Sequence, residues 1–138
     1  MRQASTEIVV VTPGQGLHEF TREVVHWSRG SGIVTGLLTL LVRHTSCSLL
    51  IQENAAPAAR RDIERYFAQV APESRDYEHD DEGPDDMPAH LRAALTAVSL
   101  SIPVAGGRPV LGTWQGIYLF EHRAAPHRRK VAAHLIGD

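Results

Sequence analysis

The segment Leu111–Arg123, LGTWQGIYLFEHR, joins a glycine-punctuated turn to a strand-like apolar run and ends in three polar side chains. Gly112 and Gly116 flank Trp114 and Gln115, so a large ring and an amide stand where the backbone turns. Ile117, Tyr118, Leu119 and Phe120 are β-branched or aromatic, the composition of a strand packed on its neighbours. Regular alternation puts Ile117, Leu119 and Glu121 on one face and Tyr118, Phe120 and His122 on the other. Glu121 and His122 therefore serve different surroundings unless a bulge intervenes. A second anchor is His44–Ser48, HTSCS, set between two apolar runs.

Working outward, Thr6–Thr12 alternates and predicts a first strand closed by Pro13-Gly14. Phe20, Val24 and Trp27 recur at helical spacing, so a helix is expected over Phe20–Arg29, with Thr21 as its cap. Gly36–Val42 is a nearly continuous apolar run, as in a buried strand, and Ser48–Ile51 predicts another. Pro57 suits a helix N-terminus. The stripe Ala59, Ile63, Tyr66 or Phe67, and Val70 follows it. Glu73–Asp86 reads as an acidic loop. Asp86 is expected to cap a second main helix, whose Leu91, Ala94, Leu95 and Val98 face the core. Ser99–Val104 predicts a strand, Ala105–Arg108 a hairpin turn, and Lys130–Ile136 the last strand. The sum is an α+β fold: one domain over residues 1–138, with largely antiparallel sheets and two main helices against them.

The 138 residues allow a sizeable core without disulfides, and a single cysteine, Cys47, excludes both a disulfide framework and a Cys-rich zinc site within one chain. The formal net charge of -2 supplies no basic field for nucleic acid. Arg123, Arg128, Arg129 and Lys130 are too few to change that. The N-terminal MRQASTEIVVVTPGQG is too short in its apolar part for a signal peptide, and Gly36–Val42 is too short to span a bilayer. A soluble, cytoplasmic protein with no membrane partner is the expectation.

Eight histidines are many for this length. His18, His26, His127 and His134 read as surface or strand positions. His44 enters a turn with three hydroxyls, Thr45, Ser46 and Ser48, which can hold an anion or bond their own backbone. Asp86 and His90 are four apart and share a helix face, so they can be two ligands, or a ligand and its orienter. His79 lies in the acidic loop. Three imidazoles and a water make an open metal site, although no tight metal motif is present. Glu78, Asp80, Asp81, Glu82, Asp85 and Asp86 suit a solvated loop better than a cation cage. Cys47 reads as a small buried hydrophobe rather than a nucleophile.

Taken together, His44–Leu49, Glu53-Asn54, Tyr77–His79, Asp85–His90, and Leu111–Gln115 with Glu121 resemble, in this order, the YjbQ family. Its members are described as secondary thiamine-phosphate synthase-like enzymes. The resemblance covers nearly the whole chain and implies an α+β fold with a sandwich-like core, assembled as a homotrimer. It implies a reaction joining a pyrimidine diphosphate to a thiazole phosphate with release of pyrophosphate. In those terms His44, His79 and His90 hold a divalent metal, with zinc as the expected ion and magnesium as the alternative for a diphosphate substrate. His44, Glu53 and Glu121 are the catalytic candidates. Thr45, Ser46, Ser48, Asn54, Trp114, Gln115 and Arg129 are the candidates for binding a small phosphorylated metabolite. The family's Pro-Arg-x-Arg reads Pro126-His127-Arg128-Arg129 here, which replaces half of a two-arginine phosphate clamp. The competing reading is a non-catalytic trimer that captures a small phosphorylated or anionic metabolite.

Overall fold

The computed structural model describes residues 1–74 and 76–138. In chain order the elements are β1 (Arg2–Thr12), β2 (Gly16–Glu19), α1 (Thr21–Gly30), β3 (Gly36–Val42), β4 (Cys47–Glu53), α2 (Pro57–Val70), α3 (Asp86–Leu95), β5 (Ser99–Ala105), β6 (Arg108–Pro109), β7 (Gln115–Glu121) and β8 (His127–Gly137). Two antiparallel sheets result, one of five strands in the order β1-β8-β3-β5-β6 and one of three in the order β2-β7-β4. The α+β expectation holds. No helix is long and apolar enough to cross a membrane among the described residues.

The alternation of β7 explains why the small sheet is covered on both sides. Ile117 and Leu119 point with Cys47 and Leu49 of β4 toward the large sheet, meeting Leu38, Leu40, Ile102, Val131 and Leu135. Tyr118 and Phe120 point the other way with Leu17, and Ile63 and Phe67 of α2 close over them. Phe67 meets Phe120 edge-on, with ring centroids 5.3 Å apart. Of the stripe expected on α2, Tyr66 and Val70 stay exposed.

Several boundaries differ from expectation for physical reasons. β1 begins at Arg2 and β8 at His127, because the two strands pair along their whole length, from Arg2 with Gly137 to Thr12 with His127. Arg2–Ser5 and His127–Arg129 carry no alternating apolar pattern, which hides those extensions in the sequence. β2 has only four residues and is recognisable only from its pairing with β7. α3 buries Pro88, Ala89, Arg92 and Ala93, whereas Leu95 and Val98 are exposed, so its core face is turned from the one expected. Asp86 lies inside α3; Asp85 takes the cap position without a capping side-chain bond. α1 likewise starts after Phe20, and the Thr21 hydroxyl accepts the N–H of Ile117 instead of capping.

Gly36 and Gly137 are register partners on β3 and β8. A Cβ at Gly137 would lie 1.9 Å from the Thr35 carbonyl oxygen, and one at Gly36 2.3 Å from that of Ile136. Backbone, which yields little, occupies the space. Gly137→Ala is expected to lower unfolding free energy by about 1–3 kcal/mol, the cost of overpacking, as read by urea denaturation. An unchanged midpoint would show that this crossing relaxes freely.

Candidate metal centre

β7 ends where the site begins. Glu121, on its inward face, is fully buried and accepts hydrogen bonds from the Thr12 hydroxyl (2.6 Å), from Arg129 Nε (2.8 Å) and from the backbone N–H of Arg123 (3.2 Å). Arg129 Nη2 also donates to Glu121 Oε2 and to Ser46 Oγ. Burial pushes the Glu121 carboxyl up, but the bonds from Arg129, Thr12 and Arg123 outweigh it and hold the group below its usual range. The resemblance implies that Glu121 and Arg129 act on substrate. The structure makes them each other's counter-ion, because both are buried and point into the protein.

His122 follows on the opposite face, as the alternation requires. It is fully buried beside Phe120, with ring centroids 4.4 Å apart, and its Nε2 pairs with the Ser48 hydroxyl at 2.9 Å. Its Nδ1 has no partner among the described residues. Burial, reinforced by the Arg92 charge, pushes this imidazole down to about 3. Ser48 is therefore an internal hydroxyl, not a ligand group on a surface. Cys47 beside it is buried, and burial pushes its thiol up to about 12, as fits a packing residue.

Arg123 turns the chain outward. Its Nε donates to Asp85 Oδ2 at 3.0 Å and its Nη1 to Asp86 Oδ1 at 2.6 Å, while Nη2 donates to the Glu82 carbonyl at 3.0 Å. These bonds fasten the acidic loop and the start of α3 to the end of β7. Asp86 is 2 % exposed, and with Oδ1 fixed by Arg123 its Oδ2 faces two imidazoles. His79 Nε2 lies 2.8 Å from it and His90 Nε2 3.2 Å. Burial raises the Asp86 carboxyl, but His79, the His90 charge and Arg123 together bring it below its usual value. The bond to Asp86 raises the His79 imidazole, against a smaller opposing effect of desolvation and with further help from Asp81 and Glu82.

His79, Asp86 and His90 each place a ligand atom within 4.8 Å of the others. In tetrahedral zinc sites the ligand atoms stand about 3.3 Å apart, so a small inward adjustment closes this triad on one ion. Two imidazoles and one carboxylate suit zinc better than magnesium, which prefers an oxygen shell. Spacing pairs Asp86 with His90, the resemblance names His79, and the structure brings the three together. Arg123 escapes a sequence reading because its partners lie 37 and 38 residues away.

The remaining candidates lie elsewhere in the chain. His44 Nε2 accepts the N–H of Lys130 at 2.8 Å, so that nitrogen is not free for an ion and His44 stands outside the triad. Burial and the Arg129 charge lower its pKa. Thr45 is exposed at the same strand end. Glu53 and Gln115 are paired at the far end of β4 and β7, six residues from Cys47 and Glu121. That is about 20 Å along the strands. Asn54 donates to Glu19 Oε2 there (3.2 Å), the Gln115 amide oxygen accepts the N–H of Gly112 (2.8 Å), and the Trp114 ring is 63 % exposed. Within one chain these four residues and the triad do not form one site.

Two outcomes are expected. Glu121→Gln leaves Arg129 buried without a counter-charge, so it should cost about 3–5 kcal/mol in denaturant unfolding. The second concerns acid. Unfolded His122 takes up a proton near its ordinary 6.5 and the folded residue only near 3, so stability falls as pH drops below 6.5. Glu121 acts in the same direction but at lower pH: its contribution is intact above the ordinary 4.5 and is lost as pH falls from there through its lower folded value. From pH 7 to pH 5 the wild type should lose about 2 kcal/mol more than His122→Gln. Parallel losses would mean that His122 protonates while folded.

The family description "UPF0047 protein YjbQ-like" matches residues 6–138. A UPF0047 protein from Synechocystis sp. is 50% identical over 138 residues, covering 99% of this chain and 94% of that protein. The UPF0047 protein YjbQ of Salmonella typhimurium is 47% identical over 125 residues, covering 90% of this chain and 91% of its own length. The crystal structure of a conserved hypothetical protein from Thermus thermophilus superposes with a TM-score of 0.85 at 36% identity, over 95% of this chain and 99% of that one. With sequence, length and fold in agreement, the chain belongs to the UPF0047, YjbQ-like family.

Proposed function

We propose that the protein is a divalent-metal enzyme centred on His79, Asp86 and His90, and that it joins a pyrimidine diphosphate to a thiazole phosphate. The observation that carries this reading is the triad itself, with a buried carboxylate oriented by Arg123 and two partly exposed imidazoles. A bound divalent ion supplies positive charge to the oxygens of a leaving pyrophosphate.

The chain's own residues supply the rest. A cavity of about 340 Å³ adjoins His79, lined by Tyr77, Asp80, Pro84 and Met87 among others. A shallower hollow that shares Tyr77, His79 and Met87 adds Glu78 and Asp81. Tyr77 and Met87 offer apolar surface to a flat heteroaromatic ring, and the Tyr77 hydroxyl is anchored on the Pro72 carbonyl at 2.9 Å. When a thiazole nitrogen bonds to the pyrimidine methylene carbon and the carbon–oxygen bond to diphosphate breaks, that nitrogen becomes cationic. Asp80, Asp81 and Glu78 place negative charge around such a cation.

The family resemblance also leads us to propose a homotrimer, and the exposed Trp114, Val110 and Leu95 support association. Light scattering at working concentration tests it; a monomer would remove it.

Elemental analysis should find about one zinc-class ion per chain in protein purified without a metal column. His79→Ala, His90→Ala and Asp86→Asn should lose it, Arg123→Ala should bind it about 10–100-fold more weakly, and His44→Ala should keep it. Pyrophosphate release from the two phosphorylated substrates should fall in step with metal content. Metal without turnover would favour the non-catalytic capture of a phosphorylated metabolite; folded, metal-free wild type would contradict the centre.

A further inference from the structure

We propose that α1 and the β5–β6 hairpin form a second, metal-independent site for a compact multi-phosphate anion, built by Arg22, Arg29 and Arg108 with His26 between them. Val24 and Ser28 face inward on α1, so Arg22, His26 and Arg29, at spacings of four and three, share its outer face. Arg108 comes from β6. A shallow groove of about 660 Å³ runs between these side chains over Val25 and Gly30.

The two elements are fixed to each other. The buried Ser28 hydroxyl donates to the Gly107 carbonyl at 3.1 Å, and the Gly107 N–H donates to the Val34 carbonyl at 2.9 Å. The arginines thus project from a rigid frame. Among the described residues, the side chains of Arg22, His26, Arg29 and Arg108 make no hydrogen bond or ion pair, in contrast to Arg123 and Arg129, whose charges are met by carboxylates. The nearby Glu23 lines a different groove together with Arg60.

An ordinary surface role does not account for the set. Arg29, in the last turn, complements the negative end of the helix dipole. Arg22 lies in the first turn, where a cation opposes the dipole and costs helix stability. Three exposed guanidiniums line one groove that no carboxylate lines among the described residues, so an anion there meets no competing negative charge. Their planar donors match phosphate oxygens pairwise. Apart from the His26 imidazole the groove lining offers no aromatic ring among the described residues, so charge rather than ring stacking recognises the ligand. This site shares no residue with the triad or its cavity.

The test is isothermal titration of inorganic tripolyphosphate into the full chain with a chelator present. Wild type should bind, more weakly as salt rises, and Arg22→Ala and Arg108→Ala should each weaken binding about tenfold with no loss of thermal stability. His79→Ala should bind as wild type does. Absence of binding by wild type would overturn the proposal, as would a loss caused by His79→Ala but not by Arg22→Ala. Arginine variants that change the oligomer mass and leave tripolyphosphate affinity untouched would also overturn it, assigning this face to contact between copies.

Discussion

The buried pairing of Glu121 with Arg129 is the interaction on which the site end of the molecule depends. It joins β7 of the small sheet to β8 of the large one, and Thr12 brings in β1. A buried ion pair contributes little net stability, since desolvation offsets most of the attraction, yet removing either partner is costly. Its effect is one of position. The same carboxylate holds the backbone N–H of Arg123, so the residue that leaves the sheet is fixed before its side chain reaches the acidic loop.

Arg123 then carries that order outward. With guanidinium nitrogens on Asp85, Asp86 and the Glu82 carbonyl, it fastens a loop whose own acids would repel one another. Asp86 is left with one oxygen fixed and one facing His79 and His90. A buried carboxylate set between an arginine and two imidazoles is an arrangement suited to surround a cation. The proposed metal centre rests on this chain of contacts from the core to the surface.

Much of this was legible in the sequence where periodicity carries the information. The alternation along Ile117–His122 correctly separated Glu121 from His122, and the apolar run Gly36–Val42 marked a central strand. The four-residue spacing of Asp86 and His90 placed them on one face. Pairings distant in sequence were not legible: Thr12 with Glu121, Arg123 with Asp86, and the short β2 edge are products of tertiary packing. His44 and Trp114 show the same limit. Motif order grouped them with the triad, whereas register puts Trp114 beside the far end of β7 and hydrogen bonding turns His44 toward Lys130.

Which atoms face the ion distinguishes this centre from any other arrangement of the same histidines. X-ray absorption spectroscopy at the edge of the bound zinc or substituted cobalt reads them directly. A four-coordinate shell of two imidazoles with light oxygen donors, at about 2.0–2.1 Å, is the predicted result. A shell of three imidazoles would return His44 to the site, and a six-oxygen shell would contradict the triad.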